Sequence, residues 1–100
     1  MTPNEAISTV IGATADAAGV SVDEILSPSR RQELVNARVV IAYRLIRDYG
    51  FGPVMIGRRL NRSHTAVWCY FRMYRRTPRY YDGLLRAVTE RLMQIKGYGE

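Results

Sequence analysis

The side chains best able to act on another molecule stand in one short run, Arg62-Ser63-His64-Thr65, followed by Trp68, Arg72, Arg75 and Arg76. They hold an imidazole, two hydroxyls, an indole N–H and four guanidinium groups, so most of what they offer is hydrogen-bond donation. Catalysis asks for more. His64 is the only histidine and Cys69 the only cysteine, and no nucleophile and carboxylate are spaced with His64 to build a working constellation. The nine Asp and Glu show no pairing suited to general acid–base work or metal ligation. One cysteine rules out an internal disulfide, and one His with one Cys is too few for a structural zinc site. No enzyme, metal or cofactor is expected.

The charge is more telling. Fifteen Lys and Arg oppose nine Asp and Glu, for a net charge of +6, and all but Lys96 of these cations are arginine, whose planar fork suits phosphate and guanine edges better than an ammonium does. Between Tyr49 and Tyr81 stand Arg58, Arg59, Arg62, Arg72, Arg75, Arg76 and Arg79, with no acid among them. Acids outnumber bases by one in the remainder, so the whole excess sits in one third of the chain. A solvated surface interleaves its signs. A segregated block suits a polyanion, nucleic acid first, with an acidic protein or a membrane surface as the other classes of partner.

The elements that must position these residues read as helices. A chain of 100 residues suits one domain, and no run of about 18 apolar residues or basic-then-apolar leader occurs, so a cytoplasmic protein without a membrane partner is expected. Residues 4–18 place Ile7, Val10, Ile11 and Thr14 at helical spacing, and Gly19 stops them. Ser21-Val22-Asp23-Glu24 is a capping box that opens a short helix through Leu26, closed by Pro28. A long helix runs from about Arg31 to Tyr49 and ends at Gly50. Pro53 opens another, to about Leu60, as a first-turn proline whose missing N–H costs nothing. Asn61-Arg62-Ser63 links it to a helix from His64 to about Arg76, with Ser63 as N-cap. Thr77-Pro78 breaks the chain before a last amphipathic helix carrying Leu84, Leu85, Val88 and Leu92 toward Lys96. The expected fold is all-α, a compact five- or six-helix domain over 1–96, with a frayed tail at 97–100.

The segment from Pro53 to Arg76 fits a helix-turn-helix. Ile56, Leu60 and Val67 would clamp two short helices at a steep angle, Gly57 would let them approach, and Asn61 would tolerate a left-handed turn. Projected at 100° per residue, Val67, Tyr70, Phe71 and Tyr74 share an arc of roughly 100° that faces the core. His64, Thr65, Trp68, Arg72, Arg75 and Arg76 fill the neighbouring arc of roughly 120°, free of acids. A helix that reads bases needs this arrangement, with donors in its first turn and cations further on. Trp68 offers a surface for a sugar or a thymine methyl, or for semi-buried packing. Cys69 is expected to pack, Tyr70 and Tyr74 to sit in the core, and Tyr80 and Tyr81 to line a partner surface or cap the last helix. In the long helix, Leu34, Ile41, Ala42, Leu45 and Tyr49 form one stripe with Arg38 at its centre. Its guanidinium either escapes to water or meets an acid, or emerges beside the recognition helix to meet a DNA phosphate. Arg30 and Arg31 stand ready as a basic loop.

These residues carry a resemblance. VSVDEIL (20–26), Arg30-Arg31, Arg38 and IGRRLNRSHTAV (56–67) occur in an order similar to that of the C-terminal DNA-binding domain of the bacterial replication initiator DnaA, over about residues 6–77. The resemblance implies double-stranded DNA bound by a helix-turn-helix in the major groove, with Arg62, His64 and Thr65 on bases, the basic loop near the minor groove, and Arg38 on the backbone. The chain departs from the pattern at Ser63 and Ala66, where the family has Asp and Thr, in a turn one residue shorter, and at Gln32, where the family has a further arginine. It has no Gly-x-x-x-x-Gly-Lys nucleotide loop, so a freestanding DnaA-C-like protein of bacterial or phage origin is implied. The expected DNA-contacting residues are Arg30, Arg31, Arg38, Arg62, Ser63, His64, Thr65, Ala66, Trp68, Arg72, Arg75 and Arg76. The expected role is a sequence-specific, nucleoid-associated replication accessory or transcriptional regulator, as monomer or homodimer. The alternative is an interaction module whose basic face docks an acidic replication or phage-packaging protein.

Overall fold

Among the described residues six helices follow one another, each started and stopped by its own local chemistry. The computed structural model describes residues 1–95. Helix α1 spans Pro3–Ala18, opened by Thr2, which accepts from the Glu5 N–H at 3.2 Å while Glu5 accepts in return from the Thr2 N–H. It ends at Gly19, whose φ of 70° is easy only for a residue without Cβ. The expected box at Ser21 and Glu24 is present, with bonds of 3.0 and 2.9 Å, and opens α2 (Val22–Leu26). Helix α3 spans Gln32–Tyr49, α4 Pro53–Leu60, α5 His64–Arg76 and α6 Pro78–Met93. The expected tail at 97–100 lies outside the described residues.

The long α3 is the axis of the molecule and packs against all five other helices. A single apolar stripe underestimates it. Ala37, Val39 and Val40 are buried along with Leu34, Ile41, Ala42 and Leu45, because helices cover α3 on several sides. Helix α1 lies across α3 and α6 and contributes Ile7, Val10 and Ile11, while Val88 and Leu92 of α6 close the core around them. Thr14 is fully buried in this apolar setting because its hydroxyl donates to the Val10 carbonyl at 2.7 Å. Tyr43 of α3 and Tyr74 of α5 stack with ring centroids 3.7 Å apart, and Tyr81 of α6 stacks on Tyr74 at 5.4 Å. The Tyr74 hydroxyl donates to Asp82 at 2.5 Å. Burial, the Asp82 hydrogen bond and the Asp82 charge, in that order, push this phenol well above its ordinary pKa of 10.0. The far end of α5 is therefore anchored to both neighbours, which leaves its first turns to project on a fixed base.

Candidate nucleic-acid interface

Helices α4 and α5 form the expected helix-turn-helix. Ile56, Leu60 and Val67 are each fully buried where the two helices meet α3. Asn61 takes the left-handed conformation at φ 60°, the only non-glycine among the described residues with positive φ, so that the Arg62 N–H can reach the Gly57 carbonyl at 2.9 Å. The turn folds so tightly over α4 that a Cβ at Gly57 would collide with the Arg62 carbonyl oxygen. Ser63 then caps α5, accepting from the Ala66 N–H at 3.1 Å. The remaining free N–H groups of the first turn, and the positive end of the helix dipole, stay directed outward beside His64 and Thr65.

The outer arc of α5 is open. His64, Thr65, Arg72, Arg75 and Arg76 are exposed, and Trp68 is 39% exposed, set edge-on against Phe71 at 5.9 Å. The Arg75 guanidinium lies over the Phe71 ring at 5.8 Å, which orients it without neutralising it. Among the described residues the carboxylate ion pairs involve Arg31, Arg44, Arg47 and Arg91, and none involves the arginines from Arg58 to Arg79. Opposite His64, Val54, Gly57, Arg58 and Asn61 line a recess of about 350 Å³ in the elbow of the motif. Arg58 belongs to this surface, and the sequence marked it by its place in the acid-free run and in the IGRRLNRSHTAV segment without singling it out as a contact. Ala66 is half-buried on the side of α5 that faces the loop carrying Pro28 and Arg30 rather than on the arc. Cys69, expected to pack, is exposed beside Trp68, because α5 is covered by α3 and α6 along one side only.

The arginines of the loop and the long helix are placed differently from expectation. Arg38 does not emerge at the surface. It is 1% exposed, and it donates from Nε to the Ile25 carbonyl at 2.8 Å, from Nη1 to Ser29 at 2.7 Å, and from Nη2 to Ser27 at 2.9 Å and Glu24 at 3.3 Å. Its partners are not an acid but the backbone carbonyls where α2 ends and the loop turns into α3. Burial, with Arg62 nearby, lowers its pKa from the ordinary arginine value. Arg31 stands at the N-cap position of α3 without a side-chain cap and pairs instead with Glu24 and Glu33, so its charge is partly matched within the protein. Arg30 is exposed and has no carboxylate partner among the described residues. Arg62 is half-buried and bends back, donating to its neighbour Asn61 at 3.0 Å and to the Ser27 carbonyl at 2.5 Å. Tyr81 is buried, and Tyr80, 60% exposed, accepts from Asn36 Nδ2 at 3.1 Å.

A glycine-tight elbow, a left-handed turn residue and a capped helix with an exposed cationic arc define a helix-turn-helix domain of the DNA-binding class. The family model for the bacterial dnaA protein helix-turn-helix matches residues 7–72, and the chain belongs to that family. No curated protein matches the chain.

Proposed function

We propose that residues 1–96 act as one unit that binds double-stranded DNA in a sequence-specific manner. In this reading α5 lies in the major groove with His64 and Thr65 toward base edges. Arg72, Arg75 and Arg76 face phosphates, and Arg30 reaches toward the adjacent minor groove. The role follows as a replication accessory or transcriptional regulator acting on the nucleoid in the cytoplasm. The observation that carries the reading is the outer arc of α5, exposed and free of ion pairs with any described carboxylate. Within a folded protein, arginines left without acids are costly to keep close together unless a polyanion completes them. Family membership supports the same class of ligand.

The test is a titration of labelled duplex at two salt concentrations. Three phosphate contacts, from Arg72, Arg75 and Arg76, predict about a fortyfold loss of affinity between roughly 50 and 200 mM salt. Arg75→Ala should weaken all sequences alike and flatten the salt slope by about one unit. His64→Ala should cost roughly 1–3 kcal/mol on a site enriched from a random pool and little on random duplex. The symmetry of the enriched motif reports whether one copy or two bind. Negligible binding of duplex at the lower salt would instead favour an acidic protein partner.

A further inference from the structure

Arg62 sits where the resemblance places a base-reading side chain, yet its guanidinium faces the protein. Nη2 donates to the Ser27 carbonyl at 2.5 Å and Nη1 to the Asn61 carbonyl at 3.0 Å. Asn61 reaches the same loop, its Nδ2 lying 3.4 Å from the Leu26 carbonyl. The Ser27 carbonyl is shared, for it also accepts from the buried Arg38 at 2.9 Å. Two arginines, one from the turn before α5 and one from the middle of α3, thus converge on a single oxygen in the loop that leads to Arg30. The recess between the loop and α5 is lined by Arg30, Arg62, Ala66 and Tyr70 and measures about 450 Å³, so Arg62 is the guanidinium that spans this gap from the turn.

We infer that Arg62 is a positioning residue: it latches the turn of the helix-turn-helix to the 26–29 loop, so that α5 and Arg30 meet two neighbouring grooves as one rigid body. A guanidinium is suited to this because its fork can serve two carbonyl oxygens at once, and its charge strengthens both bonds. Once both ends of the fork are spent on carbonyls, the group has little left with which to tell one base pair from another. The inference rests on the DNA-binding reading above for its consequence, but the latch itself exists in the free protein and can be tested there.

The experiment compares wild type with Arg62→Met, which keeps the apolar stem and removes the fork. In the free protein, amide hydrogen exchange of residues 27–31 should quicken by about tenfold while α1 and α6 keep wild-type protection. On DNA, the base preferences of the enriched site should survive at every position while overall affinity falls. Arg30→Ala, which should weaken wild type by about fivefold or more, should change Arg62→Met by less than about twofold. A flattened preference at one base pair, with the Arg30 contribution intact, would show that Arg62 reads a base and overturn the inference. Unchanged exchange at 27–31 would also overturn it, whatever happens on DNA. Wild-type protein that fails to bind duplex defeats the functional reading alone, and the exchange arm then still decides the latch.

Discussion

Replacing Arg38 by methionine tests whether the buried guanidinium holds the molecule together. The side chain is 1% exposed and makes four hydrogen bonds to backbone carbonyls. These bonds are not equal in consequence. The Glu24 carbonyl keeps the Ser27 N–H and hydroxyl, and the Ser27 carbonyl keeps Arg62. The Ile25 and Ser29 carbonyls have no other side-chain donor among the described residues. Leaving a buried acceptor unmade costs about 1–3 kcal/mol, and removing a charged donor sits toward the upper end. Two orphaned carbonyls, offset by relief of the guanidinium's desolvation, give a net loss of about 2–4 kcal/mol. Set against a total stability of about 5–15 kcal/mol, that is a large fraction. In a domain of this size it lowers Tm by about 10–25 °C. Urea denaturation of wild type, Arg38→Met and Arg38→Lys measures it, with Lys recovering part of the loss because an ammonium can donate but cannot fork. A methionine variant within about 1 kcal/mol of wild type would refute the reasoning, by showing that desolvation cancels the bonds.

Three further outcomes follow from the same geometry. Gly57→Ala puts a Cβ against the Arg62 carbonyl oxygen, so it should cost about 1–3 kcal/mol by forcing the turn away from α4; the denaturation midpoint reports it. Tyr74→Phe should cost about 1 kcal/mol by leaving Asp82 without its donor. Because folding holds the Tyr74 proton above the ordinary phenol pKa, wild-type stability should fall as pH rises past 10.0, and the phenylalanine variant should lose part of that alkaline slope. The Glu24 carboxyl is held below 4.5, chiefly by the Ser21 N–H and secondarily by the Ser21 hydroxyl and Arg31. Its contribution to capping α2 is therefore present above 4.5 and lost as pH falls through the lowered value, and an NMR titration of Glu24 should move upward in Arg31→Ala.

The elements of this protein were legible in its sequence because the signals that bound them act over three or four residues. The Ser21–Glu24 box, the prolines at 53 and 78, Gly50, Asn61 and the Ser63 cap each settle a backbone conformation within one turn. The charge segregation that marks α5 is likewise a property of the chain before it folds, and the helical projection correctly turned its arginines outward. The fates of Arg38, Arg31 and Arg62 were not legible. Each depends on carbonyls or carboxylates brought to it by packing: Arg38 on a loop 9 to 14 residues away, Arg62 on a carbonyl 35 residues away. An arginine's charge can be read from its letter, but whether that charge faces DNA or the protein's own backbone is decided by which acceptors the tertiary fold delivers within hydrogen-bond reach. Local periodicity therefore determined the helices and their sidedness, and the crossing of α2, α3 and the α4–α5 turn alone decided which guanidinium groups were left for a partner.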